Sequence, residues 1–235
     1  MTDTTKDRRT AKRRTSAKPA VATTVVLVIV LAVVWAAVYI RDRQEGAASS
    51  RQQIGDEIQS RLDSMEWVTA DFLSVNQYSR PGIRLEAVNS IVIHFIGNPD
   101  TTAAANRNYF QNLSVTGETH ASSNFIICLD GSIVQCVPVN EIAYASNNRN
   151  SDTLSIELCH PDETGRFTDR TYASAVRLTA WLCDQYKLTS EDVIRHHDVT
   201  GKLCPRYFVD NEDAWESFKA DIAQAMEEIR ATVPN

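Results

Sequence analysis

The chain has 235 residues, a formal net charge of −6 and a hydrophobic fraction of 43%, all ordinary values for a globular protein. The charge is unevenly distributed, because residues 1–19 carry seven Lys or Arg against two Asp, which leaves residues 41–235 with a net charge of −11. An acidic body of this size argues against nucleic acid as a partner.

The first predicted elements are a basic tail, residues 1–19, and an uncharged run of 21 residues from Ala20 to Ile40. As a helix rising about 1.5 Å per residue, the run would cross a hydrocarbon core of about 30 Å. Trp35 and Tyr39 lie near its end, where interfacial aromatic residues are common. We therefore predict a single-pass membrane helix with a cytoplasmic N-terminus and an extracytoplasmic body. A cleaved signal peptide is the alternative, although the run is long for one.

Residues 41–66 are predicted to form a polar linker between this run and the body of the chain. The small residues Gly46–Ser50 indicate a flexible joint. A short amphipathic helix follows, serving as a stalk or packing on the domain, with apolar residues at helical spacing: Ile54, Ile58, Leu62 and Met65. Too few heptads are covered to establish a dimerising coiled coil, so the sequence leaves the oligomeric state open.

A globular domain is predicted over residues 67–235, a length ample for one hydrophobic core. Asp130-Gly131, between two apolar runs, indicates a hairpin with a two-residue turn. The strands and helices that we predict from periodicity are strands 91–95, 124–128, 132–137, 154–159 and 193–196, and helices 100–113, 168–186 and 214–232. Strands that alternate with helices, together with one hairpin, predict an α/β fold in which helices flank a mixed central sheet.

Residue types that bind metals are concentrated in segment 195–205. His196 and Cys204 lie eight positions apart, and imidazole nitrogen and thiolate sulfur are both good zinc ligands. The best candidate for a third ligand is His94, at the end of the apolar strand 91–95. Three protein ligands would leave one position open for water, as in catalytic zinc sites.

Two neighbouring residues leave alternatives to this ligand set. His197 could be the ligand instead of His196. Only one of the two can face the site, because adjacent residues on a strand point to opposite faces. Asp198 is expected to brace the loop and not to bind the metal. If either His197 or Asp198 were a fourth ligand, the zinc site would be structural and the protein a scaffold.

Four motifs in order resemble those of the type 2 N-acetylmuramoyl-L-alanine amidases, in the superfamily of phage lysozyme-type amidases and peptidoglycan recognition proteins. The likeness covers roughly residues 70–225, and the sequence is similar to those of membrane-anchored bacterial members of the family. The motifs are Ile91-Val92-Ile93-His94, Asn124-Phe125-Ile126-Ile127 with Asp130-Gly131, Ser155-Ile156-Glu157-Leu158, and His196 to Pro205.

The resemblance implies a zinc ion held by His94, His196 and Cys204, and cleavage of peptidoglycan between the lactyl group of N-acetylmuramic acid and L-alanine. It makes Glu157 the general base and acid. Lys202, two residues before Cys204, is placed to stabilise the oxyanion of the tetrahedral intermediate. Some relatives use a tyrosine near position 123 for proton transfer, and the serine of this chain leaves that role to Glu157. Many relatives have a histidine in place of Asn124, which puts a substrate contact there in doubt.

We therefore expect a membrane-tethered zinc amidase that acts on peptidoglycan or muropeptides outside the cytoplasmic membrane. A non-catalytic muropeptide-binding module of the same fold is the alternative. Such modules commonly lose the cysteine ligand, so the presence of Cys204 and Glu157 favours the enzyme. The remaining cysteines are expected to be free thiols, in part because a two-residue turn would place Cys128 opposite Ile133 and away from Cys136.

Overall fold

The computed structural model describes the backbone of residues 19–232 and the side chains of residues 29–232. Residues 1–18 of the predicted basic tail (residues 1–19), and the side chains of residues 20–28 in the predicted membrane span, lie outside this range. No helix among the described residues combines the length and apolar character needed to cross a membrane.

The first helix, α1, extends from Pro19 to Asp63 and includes the predicted joint Gly46–Ser50. Its residues are helical, in keeping with alanines, the strongest helix formers, beside a single glycine. The chain divides into two compact units, one ending at Ala47 and the other beginning at Ala48. The end of α1 belongs to the second unit, where Ile58 and Leu62 are buried in the core.

Five further helices and six strands form the second unit among the described residues. The strands are β1 (Val68–Ala70), β2 (Ser90–Phe95), β3 (Phe125–Ile127), β4 (Ile133–Gln135), β5 (Thr153–Leu158) and β6 (Val193–Arg195). The helices are α2 (Ala103–Thr116), α3 (Asp169–Tyr186), α4 (His196–Thr200), α5 (Arg206–Asp210) and α6 (Glu212–Thr232).

The strands form one sheet in the order β1-β4-β3-β5-β2-β6. Only the hairpin pair β3 and β4 is antiparallel, and every other neighbouring pair is parallel. The predicted α/β fold with a mixed sheet between helices is thus confirmed. The interior strands β2 and β5 are almost continuously buried, as is usual for parallel strands covered on both faces.

The two faces of the sheet bury different clusters. Ile91 and Ile93 belong to the larger cluster, which includes side chains from α3, α6 and the end of α1. The smaller cluster contains Ile126 of β3 and Phe110 of α2. Because side chains alternate along a strand, His94 and Glu157 point away from the larger cluster, toward the α2 side.

The register of the hairpin differs by one residue from the prediction. Phe125 pairs with Gln135, and the N–H of Cys128 donates to the carbonyl of Ser132 at 2.8 Å, so the loop has three residues and not two. Gly131 ends this loop with a φ of 84°, the left-handed conformation that three-residue hairpin loops require. All five cysteines are free thiols in the structure.

Candidate metal centre

Two neighbouring strands place His94 and Glu157 side by side. β2 and β5 are parallel, and their register pairs His94 directly with Glu157. Both side chains therefore leave the same face of the sheet near the carboxyl ends of the strands, where ligands of open α/β sheets commonly bind. The His94 Nδ1 and Glu157 Oε1 atoms are 4.0 Å apart.

A third parallel strand brings His196 to the same edge. β6 pairs with β2 so that Arg195 lies beside Ile93, and His196 follows as the first residue of α4. The rings of His94 and His196 lie with centroids 4.6 Å apart. His197 is directed elsewhere, with its Nδ1 atom 3.0 Å from the carbonyl of Lys202. The start of a helix, and not the predicted strand alternation, separates these two adjacent imidazoles.

Cys204 reaches the centre because the chain turns back after α4. Gly201 ends the helix with a φ of 75°, and the N–H of His197 donates to the carbonyl of Cys204 at 2.8 Å. The Cys204 Sγ atom then lies 3.8 Å from His94 Nδ1. Ligand atoms of His94, His196 and Cys204 all lie within 4.8 Å of one another, and all three residues are buried.

The Nε2 atoms of His94 and His196 contact two consecutive residues, Ser146 and Asn147, which were not predicted from the sequence. Ser146 Oγ lies 3.4 Å from His94 Nε2, and Asn147 Oδ1 lies 2.9 Å from His196 Nε2. An amide oxygen only accepts, so His196 donates from Nε2 and carries its lone pair on Nδ1. Asn147 has a φ of 54°, a conformation that asparagine tolerates well. Asn147-Asn148 indicates a turn, but no local signal connects that turn to the histidines.

Burial controls the charge of the cluster. It lowers the pKa of His94 and of His196, and the positive charge of Lys202 lowers both further, so each imidazole favours its neutral, metal-binding form. Burial also raises the pKa of the Cys204 thiol to about 12, with a smaller contribution from the negative charge of Glu157. His196 Nδ1 is buried without a hydrogen-bond partner among the described residues. A neutral imidazole lone pair, a second imidazole and a buried thiol fit a zinc ion, whose charge would favour the thiolate.

Glu157 places a carboxyl group beside this cluster. Burial raises its pKa to about 8, and the positive charge of Lys202 opposes the shift. Its Oε2 atom is buried and has no hydrogen-bond partner among the described residues. The Lys202 side chain is exposed, and its positive charge lowers the pKa of both Glu157 and Cys204. The carboxyl group is therefore free to exchange a proton with a molecule bound at the centre.

Asp198 braces the loop, as predicted. It accepts from the backbone N–H of Arg195 at 2.8 Å and forms an ion pair with the Arg195 guanidinium at 3.0 Å. The same guanidinium pairs with Glu212 of α6 at 2.7 Å, which ties the loop to the last helix. Asp198 lies outside the cluster of ligand atoms.

Asn124 and Ser123 have structural roles. Asn124 is fully buried, where its side chain accepts from the N–H of Ser155 at 3.0 Å and donates to the carbonyl of Pro138 at 3.2 Å. The Ser123 hydroxyl donates to the backbone of β3 and β5. Neither side chain is available for proton transfer or substrate binding.

Comparisons with known proteins found similar sequences and a similar fold. A family profile described as N-acetylmuramoyl-L-alanine amidase matches residues 84–207, more than half of the chain. The N-acetylmuramoyl-L-alanine amidase CwlL of Bacillus licheniformis is 30% identical over 167 residues, covering 66% of this chain and 46% of CwlL. The amidase BlyA of Bacillus subtilis (strain 168) is 29% identical over 184 residues, covering 69% and 48%.

The solved structure of the catalytic domain of XlyA superimposes with a TM-score of 0.56 at 28% sequence identity. The match covers 66% of this chain and 98% of that domain. The chain spans about half the length of the curated relatives it matches.

Proposed function

The chain belongs to the N-acetylmuramoyl-L-alanine amidase family, and from this membership we propose that it hydrolyses the amide between the lactyl group of N-acetylmuramic acid and L-alanine in peptidoglycan. The observation that carries the proposal is the buried cluster of two imidazoles and a thiol beside the carboxyl group of Glu157. Glu157 Oε1 lies 4.0 Å from His94 Nδ1, and Oε2 has no hydrogen-bond partner among the described residues. Three protein ligands leave room for water, and the adjacent carboxyl group supplies a proton acceptor.

We propose that His94, His196 and Cys204 hold a single zinc ion. When bound by three such ligands, zinc supplies a Lewis acid and lowers the pKa of its water toward about 7. Ser146 and Asn147 would hold the two imidazoles by their Nε2 atoms, so that Nδ1 of each ring faces the shared space. Supporting residues of this kind fix both the orientation of a ring and its tautomer.

Glu157 would transfer the proton in both halves of the reaction. Its carboxylate takes the proton of the attacking water at Oε2, the atom without a partner, and then delivers it to the nitrogen of the leaving L-alanine. Burial raises the pKa of Glu157 toward the working pH, and a carboxyl group with a pKa near the working pH accepts and returns a proton readily.

Lys202 would stabilise the negative charge that develops on the carbonyl oxygen in the tetrahedral intermediate. Its positive charge lowers the pKa of His94, of His196 and of Glu157, which supports a role for Lys202 at the centre. Its exposed side chain can move to meet a bound substrate.

We also propose that residues 20–40 anchor the chain in the cytoplasmic membrane with the amidase domain outside. The uncharged run and the basic tail before it support this arrangement. In cell fractionation, the full chain should stay with membranes after washing with high salt and with carbonate. Release by salt alone would show that the attachment is peripheral and contradict an anchor.

The amidase activity is tested by digesting purified peptidoglycan and analysing the soluble products by mass spectrometry. We expect free stem peptides that begin with an unblocked L-alanine amino group. Intact peptidoglycan that nevertheless retains the protein would instead indicate a non-catalytic binding module of the same fold.

A further inference from the structure

Three aromatic side chains form a continuous row whose last member, Tyr144, lies two residues before Ser146. The rings of Tyr78 and His120 lie with centroids 5.3 Å apart, and those of His120 and Tyr144 lie 5.4 Å apart at nearly a right angle. His120 is exposed and the two tyrosines are partly buried. We call Tyr78, His120 and Tyr144 the aromatic row. The chemistry proposed above uses none of these residues.

Backbone hydrogen bonds hold the aromatic row together. The N–H of Ala121 donates to the carbonyl of Tyr78 at 3.1 Å, and the N–H of Ser122 donates to the carbonyl of Tyr144 at 3.0 Å. The N–H of Tyr144 in turn donates to the Ser122 hydroxyl at 2.9 Å. Three separate segments are thereby fixed to one another, so the row is preorganised and not an incidental contact of mobile loops.

A glycine makes room for the first ring of the row. Gly117 has a φ of 62°, and a Cβ atom at this position would lie only 3.0 Å from the ring and hydroxyl of Tyr78. A residue with a side chain there would displace the tyrosine. The position of Tyr78 thus depends on close packing against a backbone that only glycine provides without strain.

The segment from Tyr144 to Ser146 connects the aromatic row to the candidate metal centre. Tyr144 precedes Ser146 by two residues, a backbone span of at most about 7 Å, and the Ser146 hydroxyl contacts the imidazole of His94. A substrate whose amide bond lies at the centre would therefore place one of its two flanks near the aromatic row.

The charge around the aromatic row selects between those flanks. Residues 117–124 and 142–148 contain no Lys or Arg, and their one charged residue is Glu118. Arg80, near Tyr78 in sequence, is already paired with Glu141 through hydrogen bonds of 2.8 and 2.7 Å. The stem peptide carries carboxylates, whereas the lactyl carboxyl of the sugar is consumed in the amide, so the glycan flank is uncharged.

We propose that the aromatic row binds the N-acetylated sugar rings on the glycan side of the scissile amide. The inference rests on the amidase function proposed above and adds a specificity-determining surface to it. Aromatic rings offer rigid apolar area that can cover the C–H face of a pyranose, and the tyrosine hydroxyls and the His120 nitrogens can bind its polar groups. The row should thus strengthen substrate binding and leave the chemical step unchanged.

The test compares two soluble substrates with the same stem peptide, one attached to a disaccharide and the other to a lactyl group without sugar. For the disaccharide substrate, His120→Ala and Tyr78→Ala in the full chain should each raise KM about two- to tenfold, the range for one aromatic contact, with kcat unchanged. Neither variant should alter the kinetics of the sugar-free substrate. Tyr109→Ala, an exposed aromatic residue on α2, is the matched control and should change neither substrate.

Equal losses on both substrates, or no change on the disaccharide substrate, would overturn the proposal. A larger loss on the sugar-free substrate would assign the row to the peptide and overturn it as well. His120→Phe and Tyr78→Phe retain an aromatic ring and should keep most of the binding, which separates ring contact from general damage to the fold.

A binding measurement tests sugar binding by the aromatic row independently of the proposed amidase activity. The probe is the same disaccharide with its lactyl carboxyl blocked as a simple amide, titrated while the NMR signals of the His120 ring are recorded. Even if the protein cleaves no substrate, probe-dependent shifts that are lost in Tyr78→Ala would support the row. Unchanged His120 signals at millimolar probe would reject it.

Discussion

Glu157 shows how burial can give an ordinary side chain an unusual property. In water its carboxyl group would be ionised at neutral pH, but desolvation on an interior strand raises its pKa to about 8. Its Oε2 atom is left without a partner among the described residues. Unsatisfied buried polar atoms are uncommon in folded proteins, and those that occur often mark functional positions.

Replacement of Glu157 by Gln removes the proton acceptor and keeps the shape of the side chain. We expect Glu157→Gln to retain zinc, because none of the three proposed ligands changes, and to reduce kcat by about 10²- to 10⁴-fold. Metal analysis and amidase kinetics on the same preparation check both points. Near-normal turnover would remove Glu157 from the proton-transfer role.

Asn147 is expected to set zinc affinity through His196. Asn147→Gly removes the acceptor for His196 Nε2 without straining the left-handed backbone, and should raise the zinc dissociation constant about 10- to 100-fold. Competition with a chromophoric chelator measures this constant. Asn147→Asp retains an oxygen acceptor and should bind zinc well, and Asn148→Ala, at the exposed neighbouring position, serves as the control. Unchanged affinity in Asn147→Gly would show that His196 is oriented by other contacts.

Site residues with distinctive chemistry could be identified from the sequence, whereas those that matter through a tertiary contact could not. His94, Glu157, His196 and Cys204 stand out because few side chains bind metal or transfer protons, and the structure brings all four together. Asn147 could not be found in this way, since its importance comes from a tertiary contact with His196, 49 positions away.

Long periodic elements were predictable, whereas short ones were not. β2, β5, α3 and α6 match the expected segments to within two residues, because each repeats its apolar pattern over several positions. β1 and α5 were not predicted, since three to five residues contain too little periodicity and are stabilised by their neighbours. The predicted hairpin existed, but its turn type, and therefore its register, was wrong by one residue.

The end of α1 is an integral part of the folded domain. Leu62 is 1% exposed, and Gln59 accepts from the N–H of Val139 at 2.9 Å. Leu62→Ala should therefore reduce the free energy of unfolding by about 2–5 kcal/mol, and Ser60→Ala, on the exposed side of the same turn, should have little effect. Urea denaturation followed by circular dichroism measures both. An unaltered midpoint for Leu62→Ala would mean that the domain folds independently of α1.

The candidate centre depends on parts of the chain that are far apart in sequence. The carboxyl ends of β5, β2 and β6 supply or lead to Glu157, His94 and His196, and the loop after α4 adds Cys204. Residues from 94 to 204 must therefore be assembled before the site exists, so metal binding and folding should be thermodynamically coupled.

Zinc is expected to stabilise the folded protein as well as to support its activity. The purified protein should contain about one zinc per chain, and chelation should abolish hydrolysis and lower Tm, because the ion binds the native state preferentially. Restoring zinc should recover both properties. Cys204→Ser should lose most of the zinc-dependent rise in Tm, and Cys128→Ser, outside the cluster, should keep it. A folded, active preparation without metal would contradict the proposed mechanism.

The register between β2 and β5 also limits which acids can replace Glu157. Both strands are hydrogen-bonded to neighbours on each side, so neither can slide toward the other to compensate for a shorter side chain. Glu157→Asp keeps the charge but withdraws it by about 1.5 Å, one carbon–carbon bond. We expect Glu157→Asp to lower kcat nearly as much as Glu157→Gln. If Glu157→Asp instead kept most of the activity, the two strands would be able to shift further than their hydrogen bonding indicates.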